Sequence, residues 1–161
     1  MRSAEQRQRH EDAFRVSRRV PSVVVEESVE IARSPEAVWE LVVYPRNDSR
    51  WCSKVKSVEQ SGDRRWKVIH KPAPFRPPVK LSLEQLELEM PSRLTMREED
   101  EASVFNVEYR LEPIPTGTRF TQVSEFEWKK LPRVLHKTFG HGVRRDVRRQ
   151  LQALKDLLES A

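Results

Sequence analysis

Cysteine is almost absent from this chain of 161 residues: Cys52 stands alone, so no disulfide can close within the chain, and a reducing compartment is expected. As a nucleophile Cys52 would need an identifiable base. None can be named, so it reads as a half-buried packing residue. Long apolar runs are missing too. No stretch approaches the ~20 residues of a membrane span, and the start, MRSAEQRQRHEDAF, lacks the apolar segment of a secretory signal, so a cytoplasmic protein is expected. Glycine is scarce, with four in all, and none of them forms a nucleotide-binding loop. There is no GxSxG motif and no cluster with metal-ligand spacing. His136 and His141, five apart, point to different sides of a helix, so neither a metal nor a cofactor is expected.

With 34% charged and 37% hydrophobic residues the chain can bury one proper core but has little apolar material beyond it, which argues against a second domain. The net charge of +5 is unevenly placed. Residues 1–20 carry six Arg against three acids, and residues 131–161 carry seven basic residues against three. Residues 1–21, poor in apolar positions and ending at Pro21, read as a mobile basic arm. The basic cluster Arg144, Arg145, Arg148 and Arg149 is open to four readings: a solvated face, a neighbouring acidic strand, an anionic ligand, or nucleic acid.

The final thirty residues set the architecture. Val143, Val147, Leu151, Leu154 and Leu158 recur at steps of four, four, three and four, which keeps them in one narrow stripe of a helix. Pro132 suits its first position, and from there to the end the helix would span roughly 45 Å. Something must cover the stripe. Projected towards the helix start, it passes through Gly140 and His136, with Leu135 and Phe139 rotated aside. The first half of the helix therefore faces either a real cavity or a glycine kink into which neighbours pack.

Upstream, Val23, Val25, Val29 and Ile31 alternate as a half-buried strand, and Glu27 breaks the apolar phase. Its carboxylate is either near a strand end in water or a polar group lining a pocket. Ser34-Pro35-Glu36 caps a helix of about nine residues, and Pro45 to Trp51 gives one more short helix or turn anchored by Trp51. A meander of antiparallel strands follows. Lys54 to Gln60 and Arg65 to His70 flank a turn at Ser61-Gly62-Asp63, with Trp66, Val68 and His70 on one face. The proline-rich KPAPFRPP segment, residues 71–78, is a loop that could close over a pocket through Phe75. Val79, Leu81 and Leu83 are out of phase by one with Leu86, Leu88 and Met90, which calls for a β-bulge near Glu84-Gln85. Leu94 and Met96 mark the next strand; Phe105, Val107, Tyr109 and Leu111 mark another. On the last strand Phe120, Gln122, Ser124, Phe126 and Trp128 share a phase. Gln122 and Ser124 either lie where the helix leaves them wet or contact a ligand.

An open antiparallel sheet wrapped around the helix is the simplest way to cover its stripe, which makes the fold α+β. The initial strand, then SPEAVWELVVYPRNDSRWCSKVKSVE, and later EYRLEPIPTGTRFTQV before a terminal helix, resembles the START-like, Bet v 1-like superfamily (SRPBCC), in its polyketide cyclase/dehydrase-type branch. The resemblance rests on Pro35, Val38-Trp39, Pro45, Trp51 and the Gly117-Thr118 turn. It implies a START-like ligand-binding domain over residues 22–161 with a helix-grip fold: a seven-stranded curved antiparallel sheet around a long C-terminal helix, two short helices after the first strand, and a hydrophobic cavity between sheet and helix.

Members of such a family carry or bind lipids, sterols, polyketides, quinones and plant hormones, and some cyclise or dehydrate polyketides, so for this chain, where a lipid, polyketide or isoprenoid-like ligand is expected, activity must be argued from the site. Polar and aromatic residues on inward phases make Trp66, His70, Phe75, Tyr109, Gln122, Ser124, His136, Phe139 and Gly140 the candidate ligand contacts. Glu27 or His70 could act as general base and Tyr109 as acid, although no recognised spacing specifies this. Binding or carriage of a hydrophobic small molecule ranks first. A polyketide cyclase, aromatase or dehydratase ranks second. A basic interaction protein contacting ribosome or nucleic acid, non-specifically in the latter case, ranks third. Ligand identity and oligomeric state are not readable from the chain.

Overall fold

The computed structural model describes residues 22–161; the arm expected over residues 1–21 lies outside the described residues. The chain opens with strand β1 (Val23–Ile31), in which Val25 and Ile31 are buried. Helix α1 (Pro35–Val42) follows, capped by Ser34, whose hydroxyl accepts from the Ala37 N–H at 3.3 Å, with Pro35 in its first turn and Glu36 at its positive end. It buries Val38, Trp39, Leu41 and Val42. A short 3-10 segment, Pro45–Arg50, then delivers Trp51 into the core at 4% exposure.

Six more strands complete a single sheet: β2 (Val55–Gly62), β3 (Arg65–His70), β4 (Val79–Glu89), β5 (Arg93–Glu99), β6 (Ser103–Ile114) and β7 (Gly117–Trp128). Their spatial order is β1-β7-β6-β5-β4-β3-β2, antiparallel throughout. The turn from β2 to β3 falls at Asp63-Arg64, one residue later than expected, because Gly62 still pairs with Arg65 and Arg64 takes the left-handed conformation at φ 57°. Between β6 and β7, Gly117 at φ 143° is irreplaceable: a Cβ there would lie 2.1 Å from the Ile31 carbonyl oxygen.

The β4 bulge exists, but the register shifts between Gln85 and Glu87, and it does not turn the whole apolar set inward. Leu86 is 40% exposed and Met90 70%. Gln85 occupies the inward position instead, and its amide donates to the Val43 carbonyl at 2.6 Å, satisfying an acceptor left over at the end of α1.

The terminal helix is shorter than its sequence suggests. Pro132 precedes a 3-10 turn, Arg133–Leu135, and helix α2 runs from His136 to Glu159, 24 residues or about 36 Å. It is unbroken at Gly140 and Gly142. Its stripe is as expected, with Val147, Leu151, Leu154 and Leu158 buried and Val143 packed at the margin. At its end, Glu159 accepts from the Ala32 N–H at 2.8 Å, Arg33 donates to the Leu158 carbonyl at 2.8 Å and Lys155 to the Glu30 carbonyl at 2.6 Å. These contacts pin α2 to the end of β1. The result is an α+β helix-grip fold whose core lies between the sheet's inner face and α2.

The space expected beneath Gly140 is not a cavity. A Cβ on Gly140 would lie 2.9 Å from Val23 Cγ1, so the missing side chain lets the helix approach β1 and the valine fills the gap. The open volume lies further along α2, beneath Val143 and Val147.

Candidate functional site

The inner face of the sheet is built in cross-strand rows. One row runs Leu94–Tyr109–Gln122–Glu27, the next Met96–Val107–Ser124–Val25, and the next Leu83–Glu98–Phe105–Phe126–Val23. Strand pleating puts these side chains on the side facing α2. Where the helix stands off from the sheet, they line a partly open cavity of about 250 Å³. The residues 48–55 that follow α1 form one wall, and Val143, Val147 and Gln150 of α2 form another.

Four of the sequence candidates meet here: His70, Tyr109, Gln122 and Ser124 all border the cavity. Tyr109, Gln122 and Ser124 are each at least nine-tenths buried. The remaining candidates lie elsewhere. Phe75 is 87% exposed on its loop, and Trp66 is half-buried near the far end of β3. His136 and Phe139 pack on Trp128, with ring centroids at 5.3 and 5.8 Å, and the His136 ring bonds the Leu131 carbonyl at 3.0 Å. These contacts anchor the start of α2 rather than the cavity. Gly140 faces Val23.

Glu27 is neither in water nor in the pocket. Its carboxylate, 13% exposed, accepts from Arg144 Nη1 at 2.7 Å and Arg148 Nε at 2.9 Å, bridging β1 to one turn of α2. Burial alone would raise its pKa, but the two guanidiniums outweigh it and hold the carboxyl below its ordinary value. A proton-abstracting role is therefore corrected: Glu27 is a structural ion pair. Two of the four clustered arginines have an acidic strand opposite them, one of the four readings open at the outset.

The cavity also contains groups that the sequence did not single out. Asp48, from the 3-10 segment, and Glu98, from β5, both border it. Neither carboxylate accepts a hydrogen bond or joins an ion pair among the described residues. Burial, reinforced by Glu98, raises the Asp48 pKa well above the ordinary aspartate value. Burial also raises Glu98, with Asp100 adding to the effect and Lys54 opposing it. Tyr109 is pushed well up by burial and by the same two carboxyls. His70 goes the other way: burial and then Lys54 lower it to about 4, so its ring is neutral at physiological pH. Cys52 is buried, with its thiol raised by that burial, as suits a packing residue.

Two buried polar atoms in the lining have no partner. Gln122 donates its amide to Ser124 Oγ at 3.0 Å, which leaves Gln122 Oε1 without a donor. Trp51 Nε1 has no acceptor. Unpaired buried groups of this kind cost roughly 1–3 kcal/mol each unless something fills the need. Among the described residues, no three His, Cys, Asp or Glu side chains converge as a metal would require. No helix among them is long and apolar enough to cross a membrane.

The sequence profile of a family described as polyketide cyclase / dehydrase and lipid transport matches residues 22–159. Among solved structures, Zhui aromatase/cyclase from Streptomyces sp. R1128 aligns at TM-score 0.71 and 14% identity, covering 86% of this chain and 94% of its own. Protein CV1439 from Chromobacterium violaceum aligns at TM-score 0.70 and 16% identity, covering 84% and 97%. The protein TTHA0849 from Thermus thermophilus aligns at 0.68 and 20%, covering 87% and 98%. At such identities the likeness is one of fold. No curated protein sequence matches the chain significantly.

Proposed function

The chain belongs to the polyketide cyclase / dehydrase and lipid transport family, and on that premise we propose that it binds a compact hydrophobic small molecule in the cavity between sheet and α2. One observation carries this reading: a partly open space of about 250 Å³ between sheet and helix, largely apolar in its walls, whose lining includes Gln122 and Trp51, each with a buried polar atom that has no partner among the described residues. A few fixed polar atoms in an otherwise apolar hollow are what a ligand site needs for orientation. The volume exceeds the roughly 150 Å³ void that takes up benzene and falls below the roughly 300–1,000 Å³ of sites for drug-sized ligands. A molecule of one or two rings fits that range better than a diacyl lipid. Native mass spectrometry of the protein purified from its own host should show a small molecule retained on the folded chain. A neutral solvatochromic naphthalene dye such as prodan should bind with a blue shift. Failure of both would end the binding reading.

A second reading, an enzyme that cyclises or dehydrates its ligand, is favoured by a different observation: a carboxyl with a raised pKa, Asp48, beside a phenol in the same cavity. A carboxyl whose pKa is raised holds its proton to higher pH than an ordinary aspartate, and in that form can donate it to a leaving hydroxyl. Under this reading Asp48→Asn cuts turnover by ~10²-fold or more while dye affinity is unchanged. Under the carrier reading no turnover exists to lose, and the same substitution changes affinity by no more than one hydrogen bond. The interaction-protein alternative has less to stand on, since Arg144 and Arg148 are already engaged by Glu27.

A further inference from the structure

We propose that the ligand is an organic cation, a compact aromatic or alicyclic body bearing a protonated or quaternary nitrogen, and that Asp48, Glu98 and Gln122 receive the nitrogen. This deepens the binding reading and rests on it. The charge of the lining is opposite to that of the chain. Against a net charge of +5 overall, the cavity is bordered by Asp48, Glu98, Asp100 and Asp146, with Lys54 the only Lys or Arg in the lining among the described residues and His70 neutral.

The acids are not equivalent. Asp100 is spent on a turn, accepting from the Ala102 and Ser103 N–H groups and from the Ser103 hydroxyl at 2.6–2.9 Å. Asp146 is exposed on α2. Asp48 and Glu98 make no such bonds, and Glu98 sits between Leu83 and Phe105 in the middle of an otherwise apolar row. Both are half-buried, so water reaches part of each carboxylate, but neither has a donor among the described residues, and a carboxylate so placed gains when a positive or donor group comes to it. The raised pKa values of both carboxyls express the same lack of compensation within the chain.

Two independent observations point to the same chemistry. Gln122, 6% exposed, bonds Ser124 Oγ through one end of its amide and leaves the carbonyl oxygen with no donor among the described residues. Trp51, Phe105, Tyr109 and Phe126 border the same space, with Trp51 and Tyr109 in a T-shaped arrangement at 6.2 Å and Phe105 and Phe126 in another at 4.8 Å. Aromatic rings with carboxylates beside them form the kind of environment in which an organic ammonium is held. The unpartnered Trp51 N–H leaves a place for one acceptor atom on the same ligand. An anionic ligand, such as a fatty acid or a phosphate headgroup, would meet repulsion here.

Three matched probes test this on the full chain by titration calorimetry near neutral pH: 1-naphthylmethylamine (cationic), 1-naphthalenemethanol (neutral) and 1-naphthoate (anionic). The amine should bind at least ~10-fold more tightly than the alcohol, and the naphthoate weakest. Asp48→Asn and Glu98→Gln should each shrink the amine's advantage over the alcohol. If either substitution prevents folding, the three-probe comparison on the unaltered protein still decides. Alcohol binding equal to or tighter than amine binding, or naphthoate binding tightest, overturns the cation assignment while leaving the binding reading intact. If none of the three binds and prodan does not either, both fall together.

Discussion

Replacing His70 by Asn should change how stability depends on pH, and the size of the change follows from where the ring sits. His70 closes β3, paired with Val55 on one side and Val79 on the other, with Lys54 and Asp100 as its charged neighbours. Burial, and then Lys54, lower its pKa from 6.5 to about 4 against the pull of Asp100. A depressed histidine pKa means that the unfolded chain takes up the proton first on acidification. Above 6.5 the ring is neutral in both states and contributes no pH dependence; between 6.5 and about 4 it withdraws stability as pH falls. At ~1.4 kcal/mol per pH unit, the part of that window above about pH 5 amounts to about 2 kcal/mol, less whatever water reaching the ring removes. Asp48 and Glu98 act in the opposite sense. Their raised folded values mean that the native state binds protons before the unfolded one, so stability is gained as pH falls through them. Urea unfolding of both proteins in steps from about pH 7.5 to about pH 5 isolates the histidine by difference. The stability of His70→Asn relative to wild type should rise by about 2 kcal/mol across that range. Parallel curves would mean that the ring titrates as it does in water, and its placement in the cavity wall would be wrong.

Three further outcomes follow from the packing. Gly140→Phe should destabilise the fold by displacing Val23 without filling the ligand space, whereas Ser124→Phe, from a residue 1% exposed between Val25 and Val107, should block prodan binding; fluorescence titration beside thermal melts separates the two effects. Leu154→Ala, at a fully buried position on α2, should cost about 2–5 kcal/mol in urea unfolding. Glu27→Ala should lower the melting temperature at low salt and by much less at about 1 M salt, because the arginines it leaves behind are exposed enough to be screened; an equal loss at both salts would count against an ion pair as the cause.

What could be read from the sequence depended on whether a residue's neighbours were local. Strand alternation marked all seven strands, because period two is a property of the strand itself. The stripe from Val143 to Leu158 likewise predicted which side of α2 faces inward. It could not predict how far away the opposing surface lies. Gly140 looked like an opening because its own helix offered nothing to fill it, but the filling atom is Val23 Cγ1, far back in the chain on β1. His136 and Phe139 were misplaced for the same reason, their partner being Trp128 across a turn. Asp48 sits in a 3-10 segment with no amphipathic period, and nothing in its spacing marks it. Glu98 was legible and was missed: it follows Leu94 and Met96 in the same inward phase of β5, the signal that Glu27 gives in β1.

Those two acids show how a charge that breaks an apolar phase can be sorted before a structure is known. Glu27 lies on the strand against which the terminal helix packs, and that helix carries Arg144 and Arg148 four apart, one turn, on the side facing β1. A carboxylate opposite such a pair is a fastening between elements, and its pKa falls. Glu98 has Leu83 and Phe105 as its row neighbours, and the helix residues nearest the cavity are Val143, Asp146, Val147 and Gln150, none of them cationic. Lys54 acts on it only as a nearby charge, with no ion pair formed, and burial outweighs that pull, so its pKa rises. A chain with 30 basic residues has leaving such a group without an ion pair as only one of its options, since a single Gln→Lys or Gln→Arg change at Gln150, on the turn of α2 that borders the cavity, would place a cation there. The physical distinction therefore lies in the company of each acid rather than in its burial: the partnered one holds the fold together, and the unpartnered one is where a molecule from outside has something to contribute.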